Sequence, residues 1–83
     1  MEIRLVMKTA RSVSLELDVG GIYKTKEVYR ILVNGDEVKT TDTVITSLYG
    51  LKPDTDYEIG VEDACGIRQG EIAFRTDYEF VTL

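Results

Sequence analysis

Apolar and polar residues alternate along most of this chain. Ile3, Leu5 and Met7 are interleaved with Glu2, Arg4, Val6 and Lys8, the period of a strand with one face on a core and the other toward water. A short polar connection, Lys8 to Arg11, leads to a second run in which Val13, Leu15 and Leu17 alternate with Ser12, Ser14, Glu16 and Asp18. Gly20 and Gly21 interrupt the pattern and, with Lys24 to Glu27, predict a loop. Tyr29, Ile31 and Val33 resume it. The alternation then recurs at Val44, Thr46 and Leu48, at Tyr57, Ile59 and Val61, and at Ile72, Phe74 and Thr76. Nowhere do apolar residues hold the three-and-four spacing of a helix, and β-branched and aromatic types are abundant.

Two stretches specify connections. Asn34-Gly35 follows Val33 directly, and because both residue types tolerate positive φ, the pair predicts a two-residue hairpin with a short returning strand over Glu37 to Thr40. Between the fifth and sixth predicted strands, at Val44 to Leu48 and Tyr57 to Val61, Gly50 permits an awkward turn, Leu51 can plug the end of a core, and Pro53 fixes φ. Asp54 and Thr55 supply turn-forming oxygens, and Tyr57 is placed to bury its ring and bond its hydroxyl to the backbone upstream. With the returning strand counted, the chain predicts seven short strands and an all-β antiparallel sandwich.

Leu51-Lys52-Pro53-Asp54-Thr55-Asp56-Tyr57-Glu58-Ile59-Gly60-Val61 closely resembles the Leu-x-Pro-x-Thr-x-Tyr-x-Ile-x-Val signature of fibronectin type III domains. That resemblance implies a seven-stranded Ig-like sandwich over residues 1–76, with Leu51, Pro53, Thr55 and Tyr57 as its structural corner. Ser12 to Leu17 resembles that family's second strand, Tyr29 to Val33 its third, and Ile72 to Thr76 its last. One departure is plain: Leu17 stands where the family usually has a core tryptophan, and the chain contains no Trp. A narrower likeness, carried by Tyr29 to Gly35, Ser47 to Thr55, Phe74-Arg75-Thr76 and Val81-Thr82-Leu83, is to the N-terminal module of bacterial polygalacturonase-type glycoside hydrolases. In those enzymes a following β-helix carries the catalytic aspartates, so the likeness transfers no catalytic residue. It implies a non-catalytic accessory or spacer module of a larger, carbohydrate-active, pectin-degrading enzyme.

Composition narrows the partners. The 83 residues carry 15 acids against 10 bases, a formal charge of −5, and the bases are scattered. Phosphate backbones and anionic lipid surfaces both require basic patches, so neither nucleic acid nor membrane is expected as a partner. Expected partners are a downstream domain of the same polypeptide and, through the narrower likeness, a polysaccharide. A lone Cys65 excludes an internal disulfide, and the start lacks the basic and apolar regions of a secretion signal. If Met1 is the native start, a cytoplasmic location is expected.

No residue pattern carries catalysis. Histidine is absent, which removes the commonest general base, and Glu62-Asp63 and Asp54/Asp56 read as turn and solvent-facing carboxylates. Asp54-x-Asp56-x-Glu58 has the opening spacing of a calcium loop, but Ile59 occupies the position that needs glycine. One Cys and no His cannot supply zinc's usual ligands, and no Lys-Ser/Thr follows Gly20-Gly21 at a phosphate-loop spacing. No cofactor or metal is expected.

Two segments are candidate contact surfaces. The connection between strands six and seven, read as a loop over Cys65, Gly66, Ile67, Arg68, Gln69 and Gly70, suits partner contact, since loops on a rigid sandwich are where recognition concentrates. It defines the alternative function, a free-standing protein-binding domain; the hairpin of strands three and four is a further surface for it. Acidic neighbours Glu62 and Asp63 disfavour a Cys65 thiolate and argue for an inert thiol. After Thr76, residues 77–83 keep Tyr78, Phe80 and Val81 where a free end is usually polar. They read as a connector that packs against a following domain, or as a cover for the open end of the sandwich.

Overall fold

A computed structural model of the chain describes residues 1–18 and 24–79. It contains seven strands: β1 (Glu2–Lys8), β2 (Ser12–Asp18), β3 (Lys24–Val33), β4 (Asp36–Thr43), β5 (Ile45–Tyr49), β6 (Asp56–Glu62) and β7 (Arg68–Arg75). They form two antiparallel sheets, a three-stranded one in the order β1-β2-β5 and a four-stranded one in the order β4-β3-β6-β7. Among the described residues there is no helix.

The inward rows of the two sheets interdigitate as a sandwich requires. Val13, Leu15 and Leu17 from β2 meet Ile31 from β3 and Ile59 and Val61 from β6, and all six side chains are fully buried. Ile3, Tyr29, Leu48 and Leu51 complete the cluster, with Val33, Tyr57, Ile72 and Phe74 packed at its margin. Leu17, where the resemblance places a tryptophan, is 0% exposed. The smaller side chain is therefore enclosed by its neighbours rather than left beside open space.

The hairpin forms at Asn34-Gly35, with φ of 51° and 90°, the two positive values of a type I′ turn. It sets Val33 opposite Asp36 and Leu32 opposite Glu37. The Asn34 side chain also accepts from the Glu58 amide at 2.9 Å, tying the turn to β6. Val44, buried between β4 and β5, marks where the chain changes sheets, and its carbonyl accepts from Leu17 N at 2.7 Å.

Four expectations are corrected. The β1 alternation buries only Ile3, because the register slips between Leu5 and Met7, and this bulge leaves Leu5, Val6 and Met7 exposed. The predicted loop through Lys24 to Glu27 is the start of β3, while Gly20 and Gly21 lie outside the described residues. The returning strand runs over Asp36–Thr43 rather than stopping at Thr40. Strand β7 begins at Arg68, so Arg68, Gln69 and Gly70 belong to a strand and the loop before it is short.

Candidate functional site

The β1–β2 turn, the β5–β6 corner and the chain's exit from β7 gather at one pole of the sandwich. Gly50 has φ of +75° with open space around it, so its backbone, not crowding, requires glycine. The Leu51 amide donates to Arg11 O at 3.0 Å, binding the corner to the β1–β2 turn, and Leu51 is buried beneath. Asp54 takes φ of 50°, and Thr55 Oγ1 donates to Pro53 O at 2.8 Å.

Tyr57 closes this corner as its sequence context implies. Its ring stacks on Phe74 with centroids 5.9 Å apart, and its hydroxyl accepts from the Lys52 amide at 2.8 Å. Thr76, 3% exposed, adds a second clasp that sequence reasoning missed. Its Oγ1 donates to Lys52 O at 2.6 Å and accepts from Thr55 N at 2.9 Å, while its amide donates to Thr55 O at 3.0 Å. The only signal in the sequence is its place at the end of the seventh alternating run, which gives burial but not the hydroxyl's partners.

The bonding does not stop where β7 stops. Asp77 N donates to Thr9 O and Asp54 N donates to Asp77 O, both at 3.1 Å, so residue 77 bridges the two turns. Lys8 Nζ lies 3.5 Å from Asp77 and donates to Arg75 O at 2.6 Å. Arg11 then grips Glu79 with two bonds, Nε to Oε2 at 3.0 Å and Nη2 to Oε1 at 2.9 Å. The hydrogen bond from Arg11 is the main cause that holds the Glu79 carboxyl below its ordinary range, and the same bond raises Arg11. Arg75 similarly holds Asp54 at 2.9 Å and Asp56 at 3.0 Å, so these carboxylates serve the corner. Tyr78 points outward, 68% exposed, whereas Phe80 and Val81 lie outside the described residues.

At the far end of β6, Asp63 builds the turn that carries Cys65, Gly66 and Ile67. Its Oδ1 accepts from Cys65 N at 2.9 Å and Ile67 N at 3.0 Å, and its Oδ2 accepts from the Gln69 amide group at 2.9 Å. Gly66 adopts φ of +81°. Cys65 is a free, exposed thiol and Ile67 is 61% exposed. Arg68, grouped with them from sequence, folds across the outer face of the four-stranded sheet, near Glu62 and Glu71 at 3.5 and 3.2 Å. There it lies over Gly60, where a Cβ would stand 2.5 Å from its Nη1.

That face carries a concavity of about 380 Å³ lined by Leu32, Asn34, Gly35, Glu58, Gly60 and Arg68. Glu58 is the one carboxylate among the described residues of that lining. Among the described residues, no cluster of three or more His, Cys, Asp or Glu side chains could hold a metal ion.

The two sheet orders, the buried inner row of β2 and the Tyr57 corner define the fold as an Ig-like sandwich of fibronectin type III type. Comparison with solved structures agrees: the chain superposes on the central fibronectin-III array of RIM-binding protein with a TM-score of 0.79 at 20% identity. The match takes in 99% of this chain and 32% of that one, so the present chain spans about a third of the matched structure. At that identity the likeness concerns the fold. No family model matches the chain, and no curated protein matches it.

Proposed function

We propose that this domain is a non-catalytic spacer or accessory module of a longer polypeptide, and that residues 77–83 join it to a following domain. The observation that carries the proposal is the clasped exit: Thr76, Asp77 and Glu79 are bonded to two separate turns. Such bonding fixes the direction in which the chain leaves the sandwich, and fixed direction is what a spacer needs. The finer proposal, a pectin-degrading polygalacturonase-like parent with polysaccharide as a further partner, is supported by the sequence resemblance of Tyr29 to Gly35, Ser47 to Thr55 and Phe74 to Thr76.

Backbone ¹⁵N relaxation and amide exchange test the clasp. Asp77 and Glu79 are expected to be as ordered as the β6–β7 ladder, and Arg11→Ala to loosen Glu79 selectively. Fast internal motion from residue 77 onward in the parent protein would remove the basis of the proposal. A second proposal, protein binding through the turn after β6, is favoured by the exposure of Ile67 on a loop that Asp63 holds rigid. Loss of a partner on Ile67→Glu, with the fold intact, is its test.

A further inference from the structure

Among the described residues, the sandwich is closed along one side and open along the other. Where β1 meets β7, a Cβ on Gly70 would stand 2.9 Å from Met1 O, so no space separates the sheets there. Strands β4 and β5 are the opposite edges of the two sheets. Between them lies a groove of about 300 Å³ lined by Val33, Val38, Lys39, Ser47, Leu48 and Tyr49. Leu48 is its buried floor, and Val38 at 52% and Tyr49 at 79% exposure are its walls. This volume is at the bottom of the range of about 300–1,000 Å³ for small-molecule pockets, which suits one large side chain better than a whole ligand.

The edge itself is shaped at this point. Lys39 pairs with Ile31 and Glu37 with Leu32, so Val38 is an extra residue and is pushed out at the groove. Lys39, on the inward side, reaches across the gap and donates to Ser47 O at 3.2 Å. Arg4, Lys8, Arg11, Arg30, Arg68 and Arg75 all have a carboxylate within 4.0 Å. Among the bases whose side chains are described, Lys39 and Lys52 have none so close, and of these two Lys39 lines the groove and bonds a neutral carbonyl, in a chain where acids outnumber bases 15 to 10.

We propose that the β4–β5 groove docks an extended peptide segment of a partner protein, which adds to the β4 edge, seats one bulky apolar side chain between Val38, Leu48 and Tyr49, and presents a carboxylate to Lys39. Strand addition supplies main-chain hydrogen bonds, the groove selects the side chain, and exchange of the neutral Ser47 carbonyl for a carboxylate turns the Lys39 bond into an ion pair. The exposed Tyr49 ring provides the aromatic anchor common at binding centres. An inward lysine on an edge strand also guards against indiscriminate pairing, and the two roles differ in sign. Removing the charge weakens docking but promotes pairing if Lys39 is only a guard. The inference is independent of the spacer proposal.

The test is selection of random octapeptides displayed on phage against the 83-residue protein, followed by titration of one selected peptide into ¹⁵N-labelled protein. Enriched peptides are expected to carry Asp or Glu within two residues of Leu, Ile or Phe. Shift changes should centre on β4 and Tyr49, and binding should weaken about tenfold or more, roughly 1.4 kcal/mol, on Lys39→Gln. Tyr49→Ala should weaken it as well, with the rest of the amide spectrum unmoved in both variants. No enrichment, peptides lacking an acid, shifts elsewhere, or binding that Lys39→Gln leaves unchanged or tightens would overturn the proposal.

Discussion

Thr76→Val removes one oxygen from a buried site and almost nothing else, so it isolates the second clasp. The side chain is 3% exposed, and valine fills the same volume. The lost hydroxyl accepts from Thr55 N at 2.9 Å and donates to Lys52 O at 2.6 Å, with Thr55 O a longer third contact at 3.3 Å. Each bond contributes about 0.5–1.5 kcal/mol net, and a buried group left without a partner costs about 1–3 kcal/mol. Lys52 is exposed and Thr55 half-buried, so water can replace much of both bonds and the second figure falls away. The expected loss is about 1–3 kcal/mol. With a urea m-value of about 1 kcal/mol/M for a small domain, the midpoint should fall by about 1–3 M. Thr76→Ser keeps the oxygen and loses a methyl group, so it should cost only about 1 kcal/mol. A valine variant within about 0.5 kcal/mol of the parent, or a serine variant as damaged as the valine one, refutes the assignment to the hydroxyl.

Tyr57→Phe frees the Lys52 amide, but Lys52 is exposed and water can replace the bond, so urea unfolding should show a loss of only about 0.5–1.5 kcal/mol. Leu17→Ala should cost about 2–5 kcal/mol by leaving a cavity, and Leu17→Trp about 1–3 kcal/mol because the core has closed around leucine; a neutral tryptophan variant would show unfilled space there. Gly50→Ala meets no atom within 4 Å, so its cost should be the conformational one alone, about 1–2 kcal/mol, with unchanged strand registers by NMR. Glu79 is depressed in the folded state by the Arg11 hydrogen bond, so its contribution is present above its unfolded pKa, about 4.3, and is lost as pH falls through the lower folded value. The Glu79 side-chain carboxyl ¹³C shift should therefore titrate below about 4.3, and Arg11→Ala should return its midpoint to that ordinary value.

Much of the fold was legible because its determinants are local. Asn34-Gly35 specifies a turn by its own backbone preferences, and Gly50, Leu51, Pro53 and Tyr57 describe a corner within eight consecutive residues. The inward rows of β2, β5 and β6 follow from alternation, which fails only where the register slips. A bulge at β1 cannot be seen in Ile3, Leu5 and Met7, since it depends on pairing with β2. Gly70 resembled a loop residue because glycine usually interrupts strands, whereas here its missing side chain admits the backbone of residue 1. The exit clasp was illegible for the same reason: Thr9, Arg11, Asp54 and Glu79 are distant in sequence and become neighbours only once both sheets have formed. Lys39 reads as one more edge charge until β5 is placed beside it.

The central claim, a module within a longer polypeptide, is tested most directly by the intact mass of the native protein that contains the peptide Lys52 to Arg68, measured in extract of the source cells. The account predicts a mass several times 9.4 kDa. A native species near 9.4 kDa would contradict it.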